Sequence, residues 1–202
     1  MNTLPVGVQS KDIVYDNYPI EGFETIKRAG FSCCDFSLNA YLTNTSLYSL
    51  KLNDFFSQSV ANLEAFFTPH KEAAKIAGIQ INQMHMPYPM YIPDATAEIN
   101  DYLMRTVAPK SLEICAFFGC PYIVVHGFKL ARNLGSEAAE WEQTEKFLES
   151  IAPLAKERNI TICRSGLHDL CQSRSPEPRR RISHSFCQCA PPPFLHCSTV
   201  PL

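Results

Sequence analysis

Two histidines close two apolar segments that have similar sequences. The first segment runs from Gly78 to His85, and the second runs from Gly119 to His126, whose histidine lies 41 residues after the first. Each segment starts at a glycine that follows a helical pattern, and each has the apolar residues of a strand. A neutral imidazole can coordinate a divalent metal or bond to a hydroxyl group. His85 and His126 are therefore predicted to lie in one pocket.

The elements that would position these histidines form a repeat. Gly30, Gly78, Gly119 and Asn159 stand at successive helix-to-strand junctions, spaced 48, 41 and 40 residues apart. Glycine and asparagine are the residues that a helix C-cap in the left-handed region requires. Each repeat holds one strand and one helix, so the sheet should be parallel. In parallel α/β folds ligands bind at the carboxyl ends of the strands, where both histidines are placed.

The repeat predicts nine elements. Periodicity places strands at 4–9, 31–36, 79–85, 121–126 and 159–163, and helices at about 20–29, 55–77, 95–118 and 136–158. Pro69 is expected to break the second helix and Pro109 to kink the third. The connection 38–54 is expected to be a loop on the pocket side. Alternation along the third strand puts His85 on the same side as Ile79, Ile81 and Gln83.

Eight such units would close a (β/α)8 barrel. The predicted fold class is therefore α/β, an incomplete (β/α)8 TIM barrel with about four βα units and part of a fifth strand. Hydrophobic residues make up 46% of the 202 and charged residues 19%. The five cysteines of the body lie in apolar runs and are expected to be reduced core thiols, which suits a cytoplasmic protein. No apolar run is long enough for a transmembrane helix, and no signal peptide is recognised.

The character of the sequence changes after Cys163. Residues 1–163 carry 13 Lys and Arg against 18 Asp and Glu, a net charge of −5, which disfavours nucleic acid as a partner. Residues 164–202 hold five arginines, no lysine, four cysteines and six of the 15 prolines. We therefore divide the chain into a partial barrel, 1–163, and an Arg/Pro/Cys-rich tail, 164–202. The tail is predicted to be disordered or the product of a shifted reading frame, since the change falls inside the fifth strand.

The residues around the two histidines resemble a known group of proteins. Gly78-Ile79 leading to His85-Met86-Pro87-Tyr88, and later Val125-His126-Gly127, are similar to segments of the xylose-isomerase-like TIM barrel superfamily. This superfamily includes sugar phosphate isomerases and epimerases, hydroxypyruvate isomerase and endonuclease IV. The resemblance covers residues 4–163.

The resemblance implies roles for four residues. His85 and His126 would face a divalent metal (Mn, Mg, Co or Zn). Asp35 and Tyr88 would line the same opening of the barrel and bind a sugar or sugar phosphate. Two other interpretations remain: Asp35 as a carboxylate that caps a helix or binds a loop, and Tyr88 as a lid over the strand end. No residue is assigned a catalytic role.

The sequence also departs from the family pattern. These enzymes place a glutamate at the end of the fifth strand, where this chain has Arg164-Ser165-Gly166. The resemblance therefore implies an isomerase or epimerase that moves a proton on a keto-sugar, in a chain that is truncated and weakly active or inactive. One alternative is an endonuclease-IV-like metal-dependent phosphodiesterase. Another is a non-catalytic half barrel that associates with a second copy through its open sheet edges.

Overall fold

A parallel five-stranded sheet forms the centre of the computed structural model, which describes residues 5–130 and 137–165. The strands are adjacent in chain order: β1 (Gly7–Gln9), β2 (Cys33–Ser37), β3 (Gln80–His85), β4 (Tyr122–His126) and β5 (Thr161–Ser165). Sequential parallel strands joined by helices are the arrangement of the first part of a (β/α)8 barrel. The predicted fold class is confirmed.

The helices lie in the connections between successive strands. They are α1 (Pro19–Arg28), α2 (Asn44–Tyr48), α3 (Val60–Ala77), α4 (Ala97–Tyr102), α5 (Ala108–Phe118) and α6 (Glu137–Glu157). Short 3-10 turns cover Leu38–Ala40 and Phe55–Ser57, and a π-helical segment, Leu103–Val107, joins α4 to α5. Contacts of α1 with α3, α3 with α5 and α5 with α6 form an ordered outer layer. No helix within the described residues is long and apolar enough to cross a membrane.

All four predicted helix C-caps adopt the left-handed backbone conformation. The φ angles are 88° at Gly30, 66° at Gly78, 69° at Gly119 and 55° at Asn159. This conformation ends each helix and turns the chain into the next strand, because the last carbonyl groups are satisfied by the following amides. The repeat in the sequence therefore corresponds to a left-handed helix C-cap that recurs at each helix-to-strand junction.

The two faces of the sheet differ in chemistry. Cys34, Phe36, Met84, Ile123 and Val125 face the helices and belong to the main hydrophobic core, where each is at most 2% exposed. Alternation turns the residues between them to the opposite face, which would be the interior of a barrel. That interior face carries the polar side chains from which the site is built.

A bulge in the sheet corrects the predicted side-chain alternation of β3. Cys34 pairs with Ile81, but the next residue, Asp35, pairs with Gln83, so Asn82 is an extra residue. Ile81 consequently packs in the helix-facing core. The same step turns His85 to the interior face, and the prediction that His85 and Ile81 share one side is wrong.

Three predicted breaks in the elements also need correction. Helix α3 continues through Pro69, because the proline is on the solvent side, where water can bond the unpaired carbonyl group. The kink expected at Pro109 takes the form of the π-helical segment that precedes it. The fifth strand, predicted to stop at 163, continues through two more residues, since Arg164 pairs with Val125 and Ser165 with His126.

The remaining boundaries agree within a few residues. The connection 38–54, expected to be a loop, contains the first 3-10 turn and α2. The five body cysteines are free thiols and are buried, as predicted. The predicted domain boundary at 163/164 stays a prediction, because residues 166–202 lie outside the described part of the chain.

Candidate functional site

The four residues predicted to form a site lie together at the carboxyl ends of β2, β3 and β4. His85 Nδ1 is 2.6 Å from Asp35 Oδ2. The ring centroids of His85 and His126 are 5.5 Å apart, and those of His126 and Tyr88 are 5.0 Å apart at an angle of 65°. The two histidine rings are therefore neighbours at the strand ends, and a shared ligand pocket stays a prediction.

Asp35 is a strand residue that contacts His85 and not a helix cap or a loop ligand. Its Oδ2 atom also accepts a hydrogen bond of 3.4 Å from Gln9 Nε2 at the end of β1. The side chains of Asp35 and His85 are 17% and 12% exposed. A carboxylate beside Nδ1 orients an imidazole and leaves its Nε2 atom for a ligand.

Several polar atoms of this cluster are buried without a hydrogen bond. Asp35 Oδ1 and His126 Nδ1 have no hydrogen-bond partner among the described residues, and His85 Nδ1 meets Asp35 without the alignment of a hydrogen bond. Buried polar atoms in native proteins are nearly always paired, so each exception calls for an explanation. Unpaired polar atoms on three adjacent strands, β2, β3 and β4, are characteristic of a site completed by a ligand.

The protonation states of His126 and Tyr88 give the pocket complementary hydrogen-bonding groups. Burial and the neighbouring His85 lower the pKa of His126 to about 4, against a smaller opposite effect of Asp35. Burial, together with a hydrogen bond to Tyr48, raises the pKa of Tyr88 above its usual value. At neutral pH His126 is therefore a neutral acceptor and Tyr88 a protonated donor, a pair that suits a ligand rich in hydroxyl groups.

The donor atoms present do not form a complete metal site. Within the described residues, no group of three or more His, Cys, Asp or Glu side chains is arranged to hold a metal ion. Two imidazoles and one carboxylate are suitable donor types, but these three side chains do not converge on one point as placed. The metal role predicted for His85 and His126 therefore remains a prediction, and no chemical step is derived through a metal.

Sequence reasoning missed four residues that border this cluster: Gln9, Asn39, Tyr48 and Ser165. Gln9 and Ser165 end β1 and β5, as the histidines end β3 and β4, so their position in the repeat was an available signal. Asn39 and Tyr48 lie in the connection after β2 and contact Tyr88. The sequence carries no local signal for such long-range contacts.

Comparisons with known proteins agree with this architecture. No protein-family model matches the chain. An uncharacterised protein of Methanocaldococcus jannaschii is 24% identical over 164 residues, which are 79% of this chain and 53% of the relative.

Among solved structures, the chain is similar to 3-keto-D-glucoside 4-epimerase YcjR from E. coli, with a TM-score of 0.56 and 16% identity over 80% of this chain and 56% of that one. It is similar to D-psicose 3-epimerase determined in the presence of D-fructose, with a TM-score of 0.53 and 13% identity over 80% of this chain and 52% of that one. A xylose isomerase domain protein from Planctomyces limnophilus gives a TM-score of 0.51 at 11% identity over 82% of this chain and 55% of that one. The chain spans about half the length of the proteins it matches.

Proposed function

We propose that this chain, which has the fold of the N-terminal part of a xylose isomerase-like TIM barrel, binds a sugar or sugar phosphate at the strand-end cluster. The activity to which this binding belongs is the isomerisation or epimerisation of a keto-sugar. The observation that carries the proposal is the pair of buried, unpartnered polar atoms, Asp35 Oδ1 and His126 Nδ1, beside the protonated phenol of Tyr88. Solved epimerases with the same fold support the class of ligand.

Each of the four residues has a stated part in this proposal. Asp35 orients His85, whose second nitrogen faces the ligand. His126 accepts a hydrogen bond from a ligand hydroxyl group, and Tyr88 donates one to a ligand oxygen. A proton moved between adjacent sugar carbons needs a base close to the carbon that loses it, and none of these four residues is assigned that role.

Low or absent turnover is part of the same proposal. The fifth strand ends with Arg164 turned outward, where its guanidinium carbon lies 3.4 Å from the centre of the Trp141 ring. Ser165 stands in register with His126, at the strand end where the resembling enzymes carry a glutamate. A serine hydroxyl does not ionise near neutral pH and cannot replace a carboxylate as a base.

The proposal is tested by titrating the purified full chain with D-fructose and D-allulose and following the binding by calorimetry and NMR. We expect binding in the millimolar range, and about tenfold weaker binding for two variants. His126→Gln replaces the imidazole that accepts from the ligand, and Asp35→Asn removes the carboxylate that orients His85. Tyr18→Phe is the matched control, because Tyr18 is 65% exposed in the loop after β1. Absence of binding at 100 mM of either sugar, taken as roughly the upper limit for a specific site, would overturn the proposal.

A second proposal concerns association through the sheet edges. Within the described residues β1 pairs only with β2, and β5 pairs only with β4, so each strand has one side open to another strand. Open strand edges recruit further strands, and a second copy of this chain is the proposed partner. Analytical ultracentrifugation of the full chain is expected to give a dimer. A monomer with cooperative unfolding would contradict this proposal.

The endonuclease-IV-like alternative is not proposed. It requires several histidines at strand ends, and the described residues place two there, His85 and His126. It also requires a basic face for DNA, whereas residues 1–163 carry a net charge of −5.

A further inference from the structure

Tyr88 is held from both ends by the connection between β2 and α3, residues 38–59. The backbone N–H of Tyr88 donates a hydrogen bond of 2.8 Å to Asn39 Oδ1. At the other end, the hydroxyl group of Tyr48 donates to the hydroxyl group of Tyr88 over 3.4 Å. Between these contacts the Tyr88 ring lies with its centroid 5.0 Å from that of His126.

We infer that Asn39 is a positioning residue for Tyr88, and that the connection 38–59 thereby sets where the Tyr88 hydroxyl group meets the carbonyl or hydroxyl oxygen of a keto-sugar. This inference rests on the proposed function, since it names a residue that shapes the same ligand site. Asn39 itself needs no contact with the ligand.

The position of Asn39 is well determined by its surroundings. The residue before the 3-10 turn, Ser37, donates its backbone N–H to Ser10 Oγ over 3.1 Å in a buried hydrogen bond. Leu38, the first residue of that turn, is fully buried. Its neighbours are anchored to Ser10, directly after β1, and to the core, so Asn39 offers its side-chain amide oxygen to Tyr88 from a fixed point.

Tyr48 makes the smaller contribution of the two. Helix α2 is anchored by Leu47, which is fully buried, and is capped by Thr43, whose Oγ1 accepts from the Ser46 amide. Tyr48 itself is 59% exposed, and 3.4 Å is long for a hydrogen bond between hydroxyl groups. The hydrogen bond from the Tyr88 amide to Asn39, at 2.8 Å, therefore carries most of the positioning.

Substitutions that separate the acceptor from the volume of Asn39 test the inference. Asn39→Leu removes the acceptor at similar size, Asn39→Ala removes it without added bulk, and Asn39→Asp retains it. Asn53→Leu is the matched control, because Asn53 holds the same connection through bonds to Tyr41 and Phe55 and does not contact Tyr88. Two quantities are measured on the full chain: hydrogen exchange of the Tyr88 amide and the affinity for D-fructose.

Loss of the acceptor is expected to speed exchange of the Tyr88 amide and to weaken D-fructose binding, each about tenfold. Asn39→Asp should retain both within about threefold, since a carboxylate oxygen accepts the same bond. Asn53→Leu should leave Tyr88 exchange unchanged. If the Asn39→Leu variant does not fold, Tyr88 amide exchange and D-fructose affinity are measured on Asn39→Ala.

The outcomes distinguish the inference from the function on which it rests. The inference is overturned if Asn39→Leu and Asn39→Ala bind D-fructose like the original chain, or if Asn53→Leu changes Tyr88 exchange as they do. If the original chain binds no sugar while Tyr88 exchange follows the Asn39 variants, the proposed function fails. The ligand part of the inference then falls with it, and the positioning of Tyr88 by Asn39 is retained.

Discussion

His126 is the residue whose surroundings most clearly set its chemistry. Its ring lies between those of His85 and Tyr88, and burial keeps the imidazole neutral well below neutral pH. A neutral ring with an unpaired buried nitrogen can accept a proton only at a cost in solvation. The pH at which His126 takes up a proton therefore reports on the burial of its ring.

The stability of the fold is expected to depend on pH through His126. The pKa of an unfolded histidine is near 6.5 and that of His126 in the folded protein is about 4. Below pH 6.5 the unfolded state therefore binds more protons, and the protein becomes less stable as the pH is lowered. Between pH 7 and pH 4.5 the loss should be about 1 to 2 kcal/mol, after allowance for partial exposure. Urea unfolding at both pH values measures it.

The matched variant for this experiment is His126→Gln, which cannot be protonated. His70, whose pKa is also lowered by burial, remains in both proteins, so the difference between them isolates His126. An equal loss of stability in the variant and the original chain would contradict the assignment.

At the scale of the elements, helix α1 depends on a close approach to the loop that precedes it. A Cβ atom at Gly22 would lie 2.6 Å from the Ile13 carbonyl oxygen and 2.7 Å from Val14 Cα. Both are backbone atoms, so relief requires the helix to move away from the core that Phe23 and Ile26 fill. The small size of Gly22 is thus a packing requirement.

Gly22→Ala is expected to lower the free energy of unfolding by about 1 to 3 kcal/mol, as overpacking of a tight contact does. Glu24→Ala, on the exposed side of the same helix, should change it by less than about 0.5 kcal/mol, because its ion pair with Arg28 is long and solvent-exposed. Chemical denaturation measures both variants. A stabilising Gly22→Ala, as helix propensity alone would give, would refute the close approach.

The segment after β3 is held to helix α4 by one buried side chain, that of Asn100. Asn100 accepts a hydrogen bond of 2.8 Å from the Ile92 amide and donates one of 2.9 Å to the Ile92 carbonyl oxygen. Asn100 is 5% exposed, so water cannot replace these bonds. The loop that carries Tyr88 is therefore connected to α4 by the Asn100 side chain, which bonds both the N–H and the C=O of Ile92 as a neighbouring strand would.

Asn100→Ala should destabilise the protein by about 1 to 3 kcal/mol, because the buried Ile92 amide loses its partner. The Ile92 carbonyl oxygen keeps its hydrogen bond from the Ala95 amide. Asn62→Ala, at an exposed position of α3, is the control and should cost less than about 0.5 kcal/mol. Thermal or urea unfolding distinguishes the two. Equal stability of the two variants would mean that the Ile92 amide finds another partner.

At the scale of the whole molecule, the sheet separates a helix-facing layer from a polar interior face. The buried cysteines are spread over both: Cys34 and Cys115 belong to the main core, and Cys33 and Cys163 are buried outside it. Burial raises the pKa of Cys34 well above its usual value. The thiolate is the reactive form, so the folded body should resist thiol reagents.

Labelling with iodoacetamide at pH 8, followed by peptide mapping, is expected to leave the five body cysteines unmodified in the folded chain and to modify them in denaturant. Peptides that contain the cysteines after residue 165 are left out of the comparison between folded and denatured protein. Rapid modification of Cys34 without denaturant would contradict the burial of β2.

The fold could be predicted from the sequence because its determinants are local. A left-handed C-cap at Gly30, Gly78, Gly119 and Asn159 depends on a few neighbouring residues. The spacing of these caps then imposes one strand and one helix per repeat. Placing His85 and His126 at strand ends follows from the same repeat, and the ends of parallel strands necessarily meet at one edge of the sheet.

Contacts between distant segments decided what the local signals could not. The bulge at Asn82 reverses alternation in β3 and turns His85 toward Asp35, and it depends on how β3 pairs with β2. The continuation of α3 through Pro69 depends on which side of the helix meets solvent. The hydrogen bond from the Tyr88 amide to Asn39 joins residues that are 49 positions apart in the sequence. Register, burial and long-range hydrogen bonds are properties of the packed chain, and they bring the two strand-end histidines together with Asp35 and Tyr88.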